Sequence, residues 1–209
     1  MHKKTLVLDM GNVLISFDTV SILRRRGISA PEDIELFAKT VFRSDVWQDY
    51  DRGTVTKDAF VPLIDALPVR LRALADDMLI RHIFAAENMP PIKATEALVK
   101  KAKDAGYAIY LLSNAGQDFY EYRRGIPALR YFDGIFISSD YKLLKPEREI
   151  YLAFLKKFSL APEDCVFVDD MQVNIDGAKA VGMDGICFNA AKEDIAVLCR
   201  ELARRGIEL

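Results

Sequence analysis

Four polar positions stand where a short apolar run gives out, and together they have the makings of phosphoryl chemistry. Asp9 follows Leu6-Val7-Leu8, Ser113 follows Leu111-Leu112, Lys145 lies between Leu144 and Pro146, and Asp169-Asp170 follows Val166-Phe167-Val168. A carboxylate nucleophile, a hydroxyl, a fixed cation and a late acidic pair are the parts needed to take a phosphoryl group onto an aspartate beside a divalent metal. Each alone has a plainer reading: Asp9 ends a strand, Ser113-Asn114 is a turn, Lys145 is a surface lysine, Asp169-Asp170 caps a helix. Their joint occurrence, in this order, is what argues for a site.

Convergence of such distant positions requires a common rim. Thr5 to Leu8, Tyr107 to Leu112, Gly134 to Ile137, Cys165 to Val168 and Gly185 to Phe188 are short apolar runs separated, beyond residue 90, by longer stretches of helical periodicity. Continuous rather than alternating apolarity predicts strands covered on both faces, as in a parallel sheet flanked by helices, and the fold class is α/β. Ligands of such open sheets bind outside the carboxyl ends of the strands, where the strand order reverses. Asp9, Ser113 and Asp169-Asp170 each come directly after a strand candidate, so parallel strands would bring all three to one edge.

Residues 18–89 break the rhythm. Thr19 to Arg26, Pro31 to Phe42, Lys57 to Leu67 and Val69 to Phe84 are predicted helices, with Thr56 as an N-cap and Pro31-Glu32-Asp33 as a helix opening. Inserted after the first strand, they would form a lid over the carboxyl ends. The expected organisation is a core of residues 1–17 and 90–209 with a helical cap of residues 18–89, and Pro90-Pro91 restarts the alternation. Ile92 to Ala105, closed by Gly106, and a C-terminal helix over Lys192 to Arg205 would cover the sheet.

Composition excludes some alternatives. With 209 residues, 51% of them hydrophobic, the chain can bury a substantial core. Its 29 basic and 31 acidic residues nearly cancel, which gives no electrostatic case for nucleic acid or an anionic membrane, and Arg24-Arg25-Arg26 reads as a solvated helix end. The apolar stretch that begins at Thr5 stops at Asp9, and no run approaches a membrane span. Of three cysteines, Cys165 and Cys187 fall in strand-like runs and are expected to be buried reduced thiols. The expectation is a cytoplasmic enzyme acting on a small molecule.

With these residues in place, the chain resembles the haloacid dehalogenase superfamily of aspartate-nucleophile phosphatases along essentially its whole length. That family carries an aspartate, a Ser/Thr, a Lys and an acidic pair in this order. Leu8-Asp9-Met10-Gly11-Asn12-Val13-Leu14, Lys145-Pro146-Glu147, and Asp169-Asp170 followed by Asn174 and Gly177-Ala178 look most like its sugar-phosphate phosphatase branch, which includes glucose-1-phosphate phosphatase. They are also similar to the phosphatase domain attached to epoxide hydrolases. The resemblance implies a Rossmann-like sheet with a small cap and a Mg²⁺-dependent hydrolase acting on a small phosphate ester, such as a sugar phosphate. It implies Asp9 as nucleophile; Ser113, Asn114 and Lys145 as phosphate partners; and Asp9, Asp170 and the Gly11 carbonyl as metal ligands. Asp169 is counted with that metal set, as a ligand or just behind one, since the sequence does not separate it from its neighbour Asp170.

Gly11 departs from the usual pattern, in which that position is a second aspartate that protonates the leaving alcohol and later activates water. Losing such a group costs about 10²- to 10⁴-fold in rate. The substrate, water or another carboxylate such as Asp18 is expected to substitute. Substrate choice is expected to reside in the insert, where Trp47, Asp49, Tyr50 and Arg52 form the most ligand-like set, read as a loop, and in the wall from Asp118 to Arg124 with Phe119, Tyr120 and Tyr122. Two rivals remain: a dehalogenase using Asp9 on carbon without metal, and a phosphate- or partner-binding protein that lost turnover through Gly11. No P-loop, zinc pattern or histidine nucleophile motif around His2 or His82 competes.

Overall fold

Leu6, Val7 and Leu8 have no exposed surface, and the strand they form is the middle of a sheet. The computed structural model describes residues 4–77, 79 and 88–209. Strands β1 (Thr5–Leu8), β2 (Ala108–Ser113), β3 (Gly134–Ile137), β4 (Cys165–Asp169) and β5 (Asp184–Cys187) pair in the order β3-β2-β1-β4-β5, every pair parallel. The chain moves from β1 to one side and then returns to the other, so the switch in strand order falls between β1 and β4.

Alternate side chains of β1 feed two cores, as the period of two in a strand requires. Leu6 and Leu8 pack with Leu98, Val99 and Ala102 of α6 (Lys93–Asp104) and with Leu198 and Leu202 of α11 (Ile195–Ala203). Val7 points the other way, to Ile150 and Phe154 of α9 (Arg148–Phe158) and Ile175 and Ala178 of α10 (Gln172–Lys179). Each fully buried side chain of this size contributes roughly 1.5–3 kcal/mol. The sheet is therefore a rigid platform whose carboxyl edge carries the site.

Helices α1 (Thr19–Arg25), α2 (Pro31–Phe37), α3 (Asp45–Arg52), α4 (Val61–Ala66) and α5 (Val69–Asp76) follow β1, with no strand among them in the described residues. They share a separate apolar cluster that includes Ile22, Phe37, Val41, Phe60 and Leu71. The two chain crossings between this cluster and the sheet run side by side. Ile15 and Pro91 form an antiparallel bridge, flanked by Ser16 N–H to Pro90 O and Ile92 N–H to Leu14 O, both 2.9 Å. Residues 78 and 80–84 of the helix expected to reach Phe84 lie outside the described residues, as do His2 and His82.

Several expectations are corrected. Residues 45–52 are a helix rather than a loop: Ser44 caps its start by accepting from Trp47 N–H at 3.2 Å, and Gly53 closes it at φ 74°. Left-handed backbone at that closing position favours glycine. Thr56 precedes a 3₁₀ turn, Lys57–Phe60, without a side-chain capping bond, and Ala38–Phe42 continues α2 as a π turn. Helix α9 starts at Arg148, beyond Pro146, so Lys145 is carried by the loop before it. Cys165 is buried, but Cys187 ends the edge strand and is exposed. No helix among the described residues is long and apolar enough to cross a membrane.

Candidate active site

Asp9 leaves β1 with its N–H bonded to Val168 O of β4 at 2.9 Å, which sets its side chain over the switch point. Ser113 is the last residue of β2 and Asp169 the last of β4. With Gly11, Asn114, Lys145 and Asp170, all of the expected site residues gather at this one rim. Asp9, Gly11, Ser113, Asn114, Lys145 and Asp170 line a single cavity of about 260 Å³, and Asp169 lies directly behind it, bonded to Lys145.

Lys145 is the hinge of the charge arrangement. Its ammonium is 2.8 Å from Asp9 Oδ1 and 2.6 Å from Asp169 Oδ2, and it donates to Leu112 O at 3.1 Å, so all three N–H donors are used. Burial pulls its pKa down, but the carboxylates of Asp169 and Asp9 outweigh that and raise it, so the cation is retained. Burial pushes Asp9 up to about 6, with Lys145 opposing and Asp169 adding to the rise. Three charges in a site this dry stand only because they neutralise one another.

The acidic pair divides its work. Asp169, with no exposed surface, accepts from Lys145, Asn174 Nδ2 and Met171 N–H, so both its oxygens face protein donors. It holds Lys145 in place. Asp170 Oδ2 accepts from Asn12 Nδ2 at 2.9 Å and lines the cavity. Oxygens of Asp9, Asp169 and Asp170 lie within 4.8 Å of one another, an all-oxygen set that fits a hard divalent cation such as Mg²⁺.

Asn114 corrects one expectation. Its side-chain amide donates to Lys145 O at 3.0 Å and accepts from Lys145 N–H at 2.9 Å, so the amide clamps the lysine loop, and the expected phosphate contact from Asn114 falls to its backbone N–H at the cavity wall. Asn12 was not singled out in the sequence, yet its left-handed backbone, φ 53°, lets it reach Asp170 while its Oδ1 accepts from Phe17 N–H. The signal was there: among non-glycine residues asparagine is one of the few that adopts that conformation readily.

The insert closes the cavity through α3. Arg52 forms a two-pronged pair with Glu147, at 2.9 and 2.5 Å, and Ser138 Oγ donates to Asp51 O at 2.6 Å. Gly116 lets the Tyr50 ring lie against the backbone; a Cβ there would meet the ring at 2.4 Å. Trp47 and Asp51 of α3, with Phe17, Met10, Met89 and Tyr122, complete the wall. Of the expected wall from Asp118 to Arg124, Tyr122 reaches the cavity and Phe119 is core. Asp18 is elsewhere, capping α1 through Val20 N–H and Ser21 Oγ.

Asp118 is buried under the same helix, and burial pushes it up to about 6, opposed by the Tyr50 hydroxyl and Lys57 and reinforced by Glu121. A carboxyl whose folded pKa lies above its unfolded value binds its proton more tightly when folded. Its contribution is therefore favourable below about pH 4 and is lost as pH rises through 6. Asp118→Asn is expected to match wild type near pH 4 and to exceed it by up to about 2–3 kcal/mol at pH 8. Urea denaturation at both pH values checks this, and equal stabilities at pH 8 would refute it.

The comparisons agree with this architecture. Sesquiterpene phosphatase astK of Aspergillus oryzae is 26% identical over 204 residues, 95% of this chain and 94% of its own length. Drimenol cyclase drtB of Aspergillus calidoustus is 27% identical over 215 residues, and this chain, matched over 98% of its length, spans only 38% of that protein. The wild-type HAD family enzyme bt-2542 of Bacteroides thetaiotaomicron, solved with magnesium and inorganic phosphate, superposes with a TM-score of 0.65 at 23% identity, over 94% of this chain and 99% of its own. A family model for haloacid dehalogenase-like hydrolases matches residues 3–182, and the chain belongs to that family.

Proposed function

We propose that this hydrolase is a Mg²⁺-dependent phosphatase that cleaves a small phosphate monoester through an aspartyl phosphate on Asp9. The observation that carries the reading is the Asp9 carboxylate, held at 2.8 Å by the Lys145 ammonium in the same cavity as Ser113 and Asp170. Asp9 attacks phosphorus in line, Ser113 donates its hydroxyl to a phosphoryl oxygen, and Lys145 keeps Asp9 ionised and offsets the incoming charge. Asp9, Asp170 and the Gly11 carbonyl would hold the metal, which when bound neutralises phosphoryl charge. Residues 18–89 act as the cap over a core of residues 1–17 and 90–209, with the paired crossings at Ile15 and Pro91 as the place where it would swing. A soluble enzyme of the cytoplasm suits a small phosphorylated metabolite.

The substrate's organic part faces Met10, Ile15, Phe17, Trp47, Met89 and Tyr122. A sugar phosphate, the substrate expected from the sequence, needs hydrogen-bonding groups for each hydroxyl, and this wall offers few. We therefore place an alkyl, isoprenyl or aryl group there, a choice that the phosphatase of sesquiterpenes among the relatives supports. Each further methylene covered by the wall adds about 0.8 kcal/mol, roughly fourfold in kcat/KM.

The test is phosphate release with and without Mg²⁺ across a linear alkyl series, isoprenyl, aryl, hexose and nucleotide monophosphates. The expected result is a fourfold rise per methylene until the cavity fills. Higher kcat/KM for hexose phosphates would restore the sugar reading. Halide release from a chloroacid without metal would favour a dehalogenase, and Mg²⁺ and phosphate binding without turnover of any ester would favour a binding protein.

A further inference from the structure

Position 11 has room but no functional group. A Cβ built on Gly11 would meet nothing nearer than Asp9 Oδ2 at 3.9 Å, so a side chain there would enter the cavity beside the nucleophile. An alkyl alkoxide is a poor leaving group and needs a proton as the ester bond breaks. Some other carboxyl must face the same space, and the structure offers few. Asp18 is exposed on α1, Asp170 belongs to the metal set, and Asp118 lies behind Tyr50 and Lys57 and does not line the cavity.

We propose, on the phosphatase reading of this site, that Asp51 of the cap helix α3 is the catalytic acid and base, supplying from above what residue 11 lacks. Asp51 lines the cavity together with Asp9, Gly11 and Lys145. The Trp47 indole, one helical turn earlier on the same face, donates to its carboxylate. No ion pair among the described residues engages Asp51, so it is not reserved for a structural cation. Its position is fixed from below by Ser138 on its own carbonyl, by the neighbouring Arg52–Glu147 pair, and by Tyr50 packed on Gly116. A proton carrier must be placed to within a fraction of an ångström, and these contacts tie α3 to the core.

The electrostatic surroundings suit the role. Burial first, then the nearby Asp118 carboxylate and Asp9, push Asp51 up to about 7, against the Trp47 hydrogen bond and Lys145. Tyr122 faces the same space and, like Tyr50 behind it, stays neutral, the hydroxyl pKa of each raised by burial. A group near neutrality can give and take a proton in one cycle. In the first step an oxygen of Asp9 bonds to phosphorus as the ester P–O bond breaks, and protonated Asp51 transfers its proton to the departing alkoxide, releasing the alcohol. In the second, ionised Asp51 takes a proton from water as the water oxygen bonds to phosphorus and the bond to Asp9 breaks, which releases phosphate and restores both side chains.

The experiment compares wild type, Asp51→Asn and the Asp51→Asn/Gly11→Asp double variant, with Mg²⁺, on butyl phosphate and p-nitrophenyl phosphate. Asp51→Asn is expected to lower kcat on butyl phosphate by about 10²- to 10⁴-fold. Nitrophenolate needs no proton, so the same variant is expected to release a rapid burst of about one equivalent per site, then turn over slowly because hydrolysis of the Asp9 ester lacks its base. The burst also counts folded sites. Recovery of butyl phosphate turnover in the double variant would support the assignment independently. Wild-type kcat in Asp51→Asn on both substrates would overturn it while leaving the phosphatase reading intact, as would a nitrophenolate burst slowed as much as butyl turnover. Wild type inert on every phosphate would overturn both.

Discussion

Replacing Asp9 with asparagine is expected to lower phosphate release by at least about 10⁴-fold in kcat, because the amide cannot serve as the oxygen nucleophile. The fold should survive. Burial holds the Asp9 carboxyl at about 6 even beside Lys145, so the ionised form is the less comfortable one and a neutral isostere relieves it. Lys145 keeps Asp169 at 2.6 Å and Leu112 O at 3.1 Å. A raised carboxyl pKa subtracts stability as pH increases through it, so at pH 8 the variant should be at least as stable as wild type. Steady-state release and urea denaturation on one preparation separate the two effects. Persistent release would mean another nucleophile, and loss of folding together with activity would mean that Asp9 is a structural charge.

That activity and stability can be pulled apart at Asp9 reflects how the site is built, and this bears on what the chain discloses before its structure is known. Strands were legible because both faces of the sheet are covered. Four residues as apolar as Thr5–Leu8 or Gly134–Ile137, bounded by polar ones, have few other uses, and their ends shift by one residue or not at all. Helix α3 was not legible by periodicity. Asp45, Gln48, Asp49, Asp51 and Arg52 leave only Val46, Trp47 and Tyr50 for an apolar face. Its caps, Ser44 and Gly53, were the better signal, since capping depends on local backbone bonds and not on what the helix later packs against.

At the site, side chains attached to strand ends could be placed in advance because parallel strands share one carboxyl edge. Partners that depend on loops or on cap docking could not. Asn114 is a turn residue by type, and only the fold of the Lys145 loop shows that its amide is engaged there. Asp51 looks like one more acidic residue on a polar helix until Arg52 meets Glu147 and Ser138 meets the Asp51 carbonyl. Proximity across two separately packed clusters is a property of the interface between them, and no spacing in the chain encodes it.

Lys145→Met puts the charge arrangement itself to the test. Methionine fills nearly the same volume, so the change removes a cation rather than packing. It leaves Asp9 and Asp169 facing one another, and stripping one partner from a buried ion pair costs about 3–5 kcal/mol. Protonation is the available relief. Without Lys145, which opposes the rise that burial causes, the Asp9 carboxyl holds its proton to higher pH, so the deficit should be smaller at pH 5.5 than at pH 8, the sign expected when a folded pKa is raised. Asp169→Asn in the same chain removes the second charge and should return most of the stability without returning turnover, because the cation that kept Asp9 ionised is still gone. Denaturation of Lys145→Met and Lys145→Met/Asp169→Asn at the two pH values measures this. A Lys145→Met protein as stable as wild type at pH 8 would show that the carboxylates do not depend on the cation, and would remove the electrostatic basis for Asp9 as a nucleophile.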